Sequence, residues 1–147
     1  MIEAPIINQE QHVERLGYAG LIPFVVLAAL LFLVNENAHP LVAMALTGYG
    51  ASIVSFLGGI HWGLGLQEQC VDKKFHIVWG VIPSLLAWIA FLLPAYAGLV
   101  VLSLLLIACY AVDRKTWPQS GLRRWMTLRF RLTFVATLAC LIGAGAT

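Results

Sequence analysis

Charged residues are scarce in this sequence. Only 11% of its 147 residues are Asp, Glu, Lys or Arg, whereas about a quarter are charged in soluble domains, and 61% are hydrophobic. This composition excludes a water-soluble domain and predicts a membrane protein. Five apolar runs approach or exceed the roughly 20 residues that cross a bilayer: 17–34, 41–66, 76–93, 95–112 and 128–146. We therefore expect an all-α fold, a polytopic bundle of five transmembrane helices forming a single domain over residues 1–147.

The chain also lacks the patterns of a disulfide framework, a metal centre or a catalytic site. Cys70, Cys109 and Cys140 fall in a loop and in two different spans, where they cannot readily pair. The sequence has no H-E-x-x-H motif and no cysteine pair with zinc spacing, and it shows neither a recognisable nucleophile nor paired carboxylates. These absences favour a protein that is not an enzyme and that holds no metal.

A secretory signal is not expected at the first apolar run. About 18 apolar residues exceed the usual signal core, and Glu3, Glu10 and Glu14 precede the run against one Arg15. No small-residue cleavage site follows. We expect a retained helix, with residues 1–16 on the cytoplasmic surface.

Cations are missing from one side of the membrane. Threading the five spans alternately places all nine Lys and Arg residues on one face, while the opposite connections carry only Glu36 and no cation. The nine are Arg15, Lys73, Lys74, Arg114, Lys115, Arg123, Arg124, Arg129 and Arg131. The positive-inside rule makes that face cytoplasmic, so the N-terminus lies inside and the C-terminus outside. We expect a bacterial inner membrane, or the mitochondrial inner membrane if the source is eukaryotic.

Most of these cations cluster between spans four and five. Trp117 and Trp125 in the same loop suit the headgroup level. One interpretation of the cluster is that it only sets the topology. A compatible one is that it binds anionic lipid headgroups, each cation contributing about 1 kcal/mol. The candidate lipid contacts are Arg114, Lys115, Arg123, Arg124 and Arg131.

Short outer connections, at residues 35–40 and around Pro94, predict two antiparallel helical hairpins. Residues 20–23 (Gly-Leu-Ile-Pro) match residues 80–83 (Gly-Val-Ile-Pro), which suggests two parallel hairpin repeats with a fifth helix appended. Each proline frees a carbonyl one turn back, at Ala19 and Trp79, and that carbonyl needs a new partner inside hydrocarbon. Kinks are expected at both prolines.

The second span is expected at the centre of the bundle because two of its three faces suit helix contact. One face is a stripe of small residues, a pattern that allows close backbone approach in lipid: Ala45, Gly48, Ser52, Ser55, Gly59 and Gly63. A bulky face is the candidate lipid face: Leu46, Tyr49, Ile53, Phe56, Ile60 and Leu64. The third face holds Gly50, Val54, Gly58, His61 and Gly65.

His61 is therefore expected inside the bundle, near its cytoplasmic end. Intramembrane ionisable groups are candidate functional residues. The structural interpretation is a neutral histidine that hydrogen-bonds another helix; the functional one is contact with a ligand, quinone or substrate. Haem ligation is a further alternative that needs a second facing histidine, and His76 is interpreted as an interfacial residue. No cofactor is predicted, with haem or quinone at His61 as the minority alternative.

Other polar or aromatic side chains end in the same inner layer. Asp113 is expected to pair with Arg129, either as a helix-end salt bridge or as the rim of a pocket above His61. The full candidate set for a ligand pocket or helix-locking cluster is His61, Trp62, Trp79, Ser84, Tyr110, Asp113 and Arg129.

The stretch 49–63 (Tyr-Gly-Ala-Ser-Ile-Val-Ser-Phe-Leu-Gly-Gly-Ile-His-Trp-Gly) resembles the signature of a family of small bacterial membrane proteins that includes the mitochondrial transmembrane protein 69. Residues 16–24, 83–88 and 128–133, with Tyr110 and Asp113, are also similar to that family. The resemblance implies an inner-membrane or mitochondrial multi-pass protein. It carries no catalytic residue that could be transferred to this chain.

We expect a non-catalytic scaffold, accessory subunit or assembly partner, in contact with lipid and with other membrane subunits or copies of itself, and not with nucleic acid. The alternatives are a protein that binds a lipid or quinone in an inner-leaflet pocket around His61, and a small transporter. A transporter is disfavoured because no charged group lies near the bilayer midplane.

Overall fold

The computed structural model describes the backbone of residues 3–147 and the side chains from residue 8 onward. Its six helices are α1 (Glu3–Ala19), α2 (Ile22–Leu30), α3 (His39–Gly65), α4 (Lys73–Leu92), α5 (Ala95–Thr116) and α6 (Met126–Ala146), with short 3₁₀ turns at Pro118–Ser120 and Arg123–Trp125. The described residues contain no strand. Five helical stretches are long and apolar enough to cross a bilayer: Asn8–Leu30, His39–Gly65, Lys73–Leu92, Ala95–Thr116 and Arg123–Ala146. The expected all-α bundle of five transmembrane helices is confirmed.

The first span differs from its apolar run at both ends. Helix α1 begins at Glu3, among polar residues, and α2 ends at Leu30, so residues 31–34 form turns. Between α1 and α2 the helix breaks just before Pro23, and the Tyr49 hydroxyl donates a hydrogen bond of 2.7 Å to the carbonyl of Gly20. The carbonyl that takes a new partner is therefore one residue beyond the expected Ala19.

Pro83 has a different effect from Pro23. It lies inside α4, which continues without a break from Lys73 to Leu92. The two Gly-x-Ile-Pro segments thus share a sequence but not a conformation. The internal repeat stays a prediction.

Helix α3 occupies the centre of the bundle, as expected. It packs against α2, α4, α5 and α6, most extensively against α4. The other neighbouring pairs are α2 with α6, α6 with α5, and α5 with α4. The side of α3 between α2 and α4 is left open.

The expected lipid face of α3 was wrong. Leu46 and Leu64, on the bulky face, are buried, whereas Ser52, Gly59 and Gly63, on the small-residue stripe, are exposed. Most of the bulky face packs inward because its side chains fill the gaps beside α2 and α6: Tyr49 packs edge-on to Phe24, and Leu46 reaches Gly143. Phe56 is the exception, because it is 65% exposed. The third face, with Gly58 and His61, is buried as expected.

Close approach of α3 and α4 depends on a pair of glycines. A methyl group at Gly58 would lie 2.5 Å from the carbonyl oxygen of Gly80, and one at Gly80 would lie 2.9 Å from the carbonyl oxygen of Gly58. Both distances are too short for real carbon atoms, so only glycine permits this crossing. It brings His61, three residues after Gly58, next to His76, four residues before Gly80.

We expect Gly58→Ala to lower stability by about 1–3 kcal/mol, because the added methyl must push two backbones apart. Gly59→Ala is the matched control, since nothing lies within 4 Å of a methyl at that position. Its stability should be unchanged or slightly higher, because alanine is the better helix former. Thermal unfolding of both purified variants in detergent measures the difference, and equal melting temperatures would contradict the crossing.

Candidate functional site

A cluster of polar side chains joins four helices at one end of the bundle. His61 comes from α3, His76 from α4, Asp113 from α5, and Arg129 and Thr133 from α6. We call these five residues the polar cluster. All five are buried, and His61 and Asp113 are each only 1% exposed.

Asp113 is the hub of the polar cluster. Its Oδ2 accepts hydrogen bonds from Nε and Nη2 of Arg129 at 3.0 and 2.7 Å, and its Oδ1 lies 2.8 Å from Nε2 of His61. The ion pair between Asp113 and Arg129 that the sequence suggested is therefore present. Nη1 of Arg129 also reaches the Thr133 hydroxyl at 3.3 Å, and the Trp117 ring centre lies 5.6 Å from the guanidinium carbon.

For a neutral His61, the hydrogen-bond pattern assigns the protons on the two histidines. A carboxylate only accepts, so Nε2 of His61 carries the proton that faces Asp113. Nδ1 of a neutral His61 then accepts from Nδ1 of His76, 2.9 Å away. This arrangement leaves Nε2 of His76 as an acceptor, and that atom makes no hydrogen bond within the described part of the chain.

His76 forms the floor of a polar cavity. The cavity measures about 380 Å³ and lies between the α3–α4 loop and the 3₁₀ turn after α5. Its wall is rich in amides and hydroxyls, contributed by Gln67, Gln69, Gln119, Thr116 and Ser120. A ligand-sized space thus meets the polar cluster at His76, whereas His61 does not line it.

Toward the opposite end of the bundle, the two buried hydroxyls on α3 and α5 are satisfied within their own helices, whereas the hydroxyl of Thr137 on α6 has no partner among the described residues. Thr47 and Ser103 each donate to the carbonyl four residues earlier in their own helix, at 2.8 Å. In the described residues the buried charged groups and histidines belong to the polar cluster. No continuous polar path crosses the part of the bundle that the structure describes.

Four residues of the expected set lie outside the polar cluster. The Trp62 indole donates to the carbonyl of Ile77 at 2.9 Å, and the Ser84 hydroxyl donates to that of Val81 at 2.8 Å. Trp79 stacks parallel to Phe75, and Tyr110 lies beside Phe130 on the outer surface of α5 and α6.

His76 and Thr133 complete the cluster in place of those four. His76 was expected at the interface, and its place in the cluster is a correction. A signal was available in the sequence, because His61 follows Gly58 by three residues and His76 precedes Gly80 by four, about one helical turn in each case.

The expected lipid contacts divide into three groups. Arg124 pairs with Glu10 of α1, and Arg131 donates to the Tyr18 hydroxyl at 3.1 Å. Arg114 and Arg123 instead line a hollow on the surface of α5 and α6. Lys115 is exposed outside that hollow.

Five membrane-length helices around a buried, charged cluster define a polytopic α-helical membrane protein. Residues 9–145 match the model of a family described as "Protein of unknown function (DUF3429)". The chain belongs to that family, and the resemblance seen in the sequence is confirmed.

Two curated relatives carry the name Transmembrane protein 69. The one from Xenopus tropicalis is 48% identical over 79 residues, which is 52% of this chain and 31% of that protein. The one from Mus musculus is 29% identical over 127 residues, which is 84% of this chain and 51% of that protein. The chain thus spans at most about half the length of these relatives. No solved structure matches.

We expect Asp113→Ala and Arg129→Ala each to lower stability by about 3–5 kcal/mol, because each leaves the opposite charge buried and alone. The double variant should lose less than the sum of the two, by about 1–3 kcal/mol, since neither charge then remains.

Arg131→Ala serves as the control for loss of a nearby but exposed arginine, and its stability should change by less than about 0.5 kcal/mol. Chemical unfolding of the four proteins in detergent gives the comparison. Strictly additive losses at positions 113 and 129 would show that the two side chains do not depend on each other.

Proposed function

We propose that the protein performs no chemistry of its own and acts in the membrane as a scaffold, accessory subunit or assembly partner. The observation that carries this proposal is the full pairing of Asp113 and His61 at the centre of the polar cluster, where only His76 reaches a cavity. Both oxygens of Asp113 and both nitrogens of His61 are engaged with other side chains. Groups that are fully paired and buried can lock helices together, but they are not free to bind or transform a substrate.

An open face on α3 supports the part of the proposal that concerns a partner. Ala45, Ser52, Gly59 and Gly63 are exposed along one side of the helix; we call them the small-residue face. The exposed ring of Phe56 lies at the edge of this face. A methyl group added at Gly59 or Gly63 would meet nothing within 4 Å. Stripes of small residues let two helix backbones come close in lipid, where packing and not hydrophobicity drives association. Another membrane helix is the occupant that such a face fits.

The proposed location is the bacterial inner membrane, or the mitochondrial inner membrane in a eukaryote, with the basic end in the cytoplasm or matrix. Support comes from the nine cations that share one side of the threaded chain. Two contacts agree with it: Arg124 with Glu10 and Arg131 with Tyr18 hold the first helix beside the basic loop. Because the number of spans is odd, the start of α1 and the end of α6 then lie on opposite sides of the membrane.

A reporter that fluoresces only in the cytoplasm should light up when it is fused ahead of α1 and stay dark when it is fused after α6. The physical reason is that cationic segments resist translocation. Cell fluorescence, normalised to the amount of each fusion, measures the orientation. Equal fluorescence from both fusions would overturn it.

A photo-reactive amino acid at Ser52, in the small-residue face, should give a discrete crosslinked protein adduct in intact membranes. The same group at Trp88, which is exposed on α4, is the control and should give no protein adduct, because bulky side chains surround it. Gly59→Leu with Gly63→Leu should abolish the Ser52 adduct, since the added side chains block close approach. The melting temperature should stay within a few degrees, because both positions are open.

Absence of any adduct from Ser52, with the protein migrating as a monomer, would overturn the partner role. If native mass spectrometry then showed a retained small molecule that His76→Ala removes, the alternative of a ligand or quinone site would gain. Ion flux through proteoliposomes would instead favour a transporter.

A further inference from the structure

We infer that the groove on the outer surface of α5 and α6 is a binding site for one acidic phospholipid. This site is separate from the small-residue face of α3 and does not depend on the proposed partner role. Two adjoining features form it. One is a hollow at the basic end of the bundle, and the other is an apolar groove that continues from it along the helices.

The hollow has the charge that a lipid phosphate requires. It measures about 750 Å³, and Arg114 from the last turn of α5 and Arg123 from the following 3₁₀ turn line it. No acidic side chain is among the residues around it. A guanidinium presents a planar fork of donors that matches phosphate oxygens, so two of them create a strong preference for an anion.

Within residues 8–147 these two arginines have no ion-pair or hydrogen-bond partner. Arg124, Arg129 and Arg131, which are close in sequence, are engaged by Glu10, Asp113 and the Tyr18 hydroxyl. Arg114 and Arg123 make no ion pair or side-chain hydrogen bond within residues 8–147. Their charge is therefore available to a ligand from outside the chain.

The apolar groove has the chemistry and length of an acyl-chain site. It measures about 290 Å³, and its floor is almost entirely apolar, with Phe130, Phe134, Leu138 and Leu141 following one side of α6. Residues 130 to 141 span about 16 Å of helix, which is half of the roughly 30 Å hydrocarbon core. That length is what a lipid in one leaflet requires.

Tyr110 and Phe130 join the two features because both residues line the hollow and the groove. Their rings lie 5.8 Å apart, and Phe130 stacks with Phe134 at 6.4 Å. The Tyr110 hydroxyl has no protein partner in the described part of the chain and stands where a glycerol ester would pass from headgroup to tail. A free phosphate would fill only the hollow, whereas a phospholipid fills both features. The proposed occupant is therefore a phospholipid.

The test compares two variants that remove the same charge. Arg114→Gln with Arg123→Gln removes both hollow arginines, and Lys115→Gln with Arg124→Gln removes two cations just outside the hollow. Each protein is placed in nanodiscs of phosphatidylcholine that contain about 10–20% phosphatidylglycerol. The protein is then released from the nanodiscs, and native mass spectrometry counts the lipid molecules that stay bound to it. Phosphatidylcholine alone and inorganic phosphate are the reference probes.

We expect wild type and the Lys115/Arg124 variant to retain one phosphatidylglycerol. The Arg114/Arg123 variant should bind it about 30-fold more weakly, which corresponds to about 2 kcal/mol for two arginines. Phe134→Trp should also weaken retention, because it fills the groove without changing charge. Inorganic phosphate should compete poorly.

Equal losses in both charge variants would show that the basic loop attracts anionic lipid only through its total charge, and would overturn the site. Full competition by inorganic phosphate, or no effect of Phe134→Trp, would overturn the lipid as occupant. Circular dichroism of all variants should match wild type, and melting temperatures should stay within a few degrees, since the substituted side chains are exposed and the Arg124–Glu10 pair that the control breaks is a surface ion pair worth at most about 1 kcal/mol. That check separates lost binding from lost folding.

Discussion

One carboxylate inside hydrocarbon constrains much of this molecule. An ionised Asp113 is tolerable at 1% exposure only if its oxygens are fully engaged, and Arg129 and His61 engage them. Those bonds tie α5 to α6 and to α3, and His61 extends the chain of bonds to α4. The ends of four helices at the basic side of the bundle are therefore held in one arrangement by a single acidic group.

Close backbone packing makes that arrangement possible. The crossing of α3 and α4 at Gly58 and Gly80 brings Nδ1 of His61 to 2.9 Å from Nδ1 of His76. The chain of hydrogen bonds therefore ends at His76, which lines a polar cavity, and not in lipid. Glycine also permits the tight turn between α4 and α5, where a side chain at Gly98 would collide with the carbonyl of Ala90. Small residues thus set the distance between helix backbones, and polar side chains form hydrogen bonds across that distance.

Some arginines in and beside the basic loop pair with other residues of the protein, and others do not pair within the described residues. Arg129 supports the core, and Arg124 and Arg131 hold the first helix through Glu10 and Tyr18. Arg114 and Arg123 remain beside an apolar groove, on a different face from the open side of α3. The bundle therefore has two unlike surfaces, which are the proposed site for an anionic lipid and the proposed contact for another helix.

Sequence alone determined the number of spans, the central place of α3 and the pairing of Asp113 with Arg129, because hydrophobic length and the depth of charges are written directly in the chain. Tertiary structure decided which face of α3 is open, that the helix breaks before Pro23 and not at Pro83, and that His76 joins the cluster while Tyr110 leaves it. In a soluble protein the polar side of a helix marks its exposed face. Lipid tails are as apolar as a protein core, so no such contrast exists here, and only the fit between neighbouring helices could choose the face.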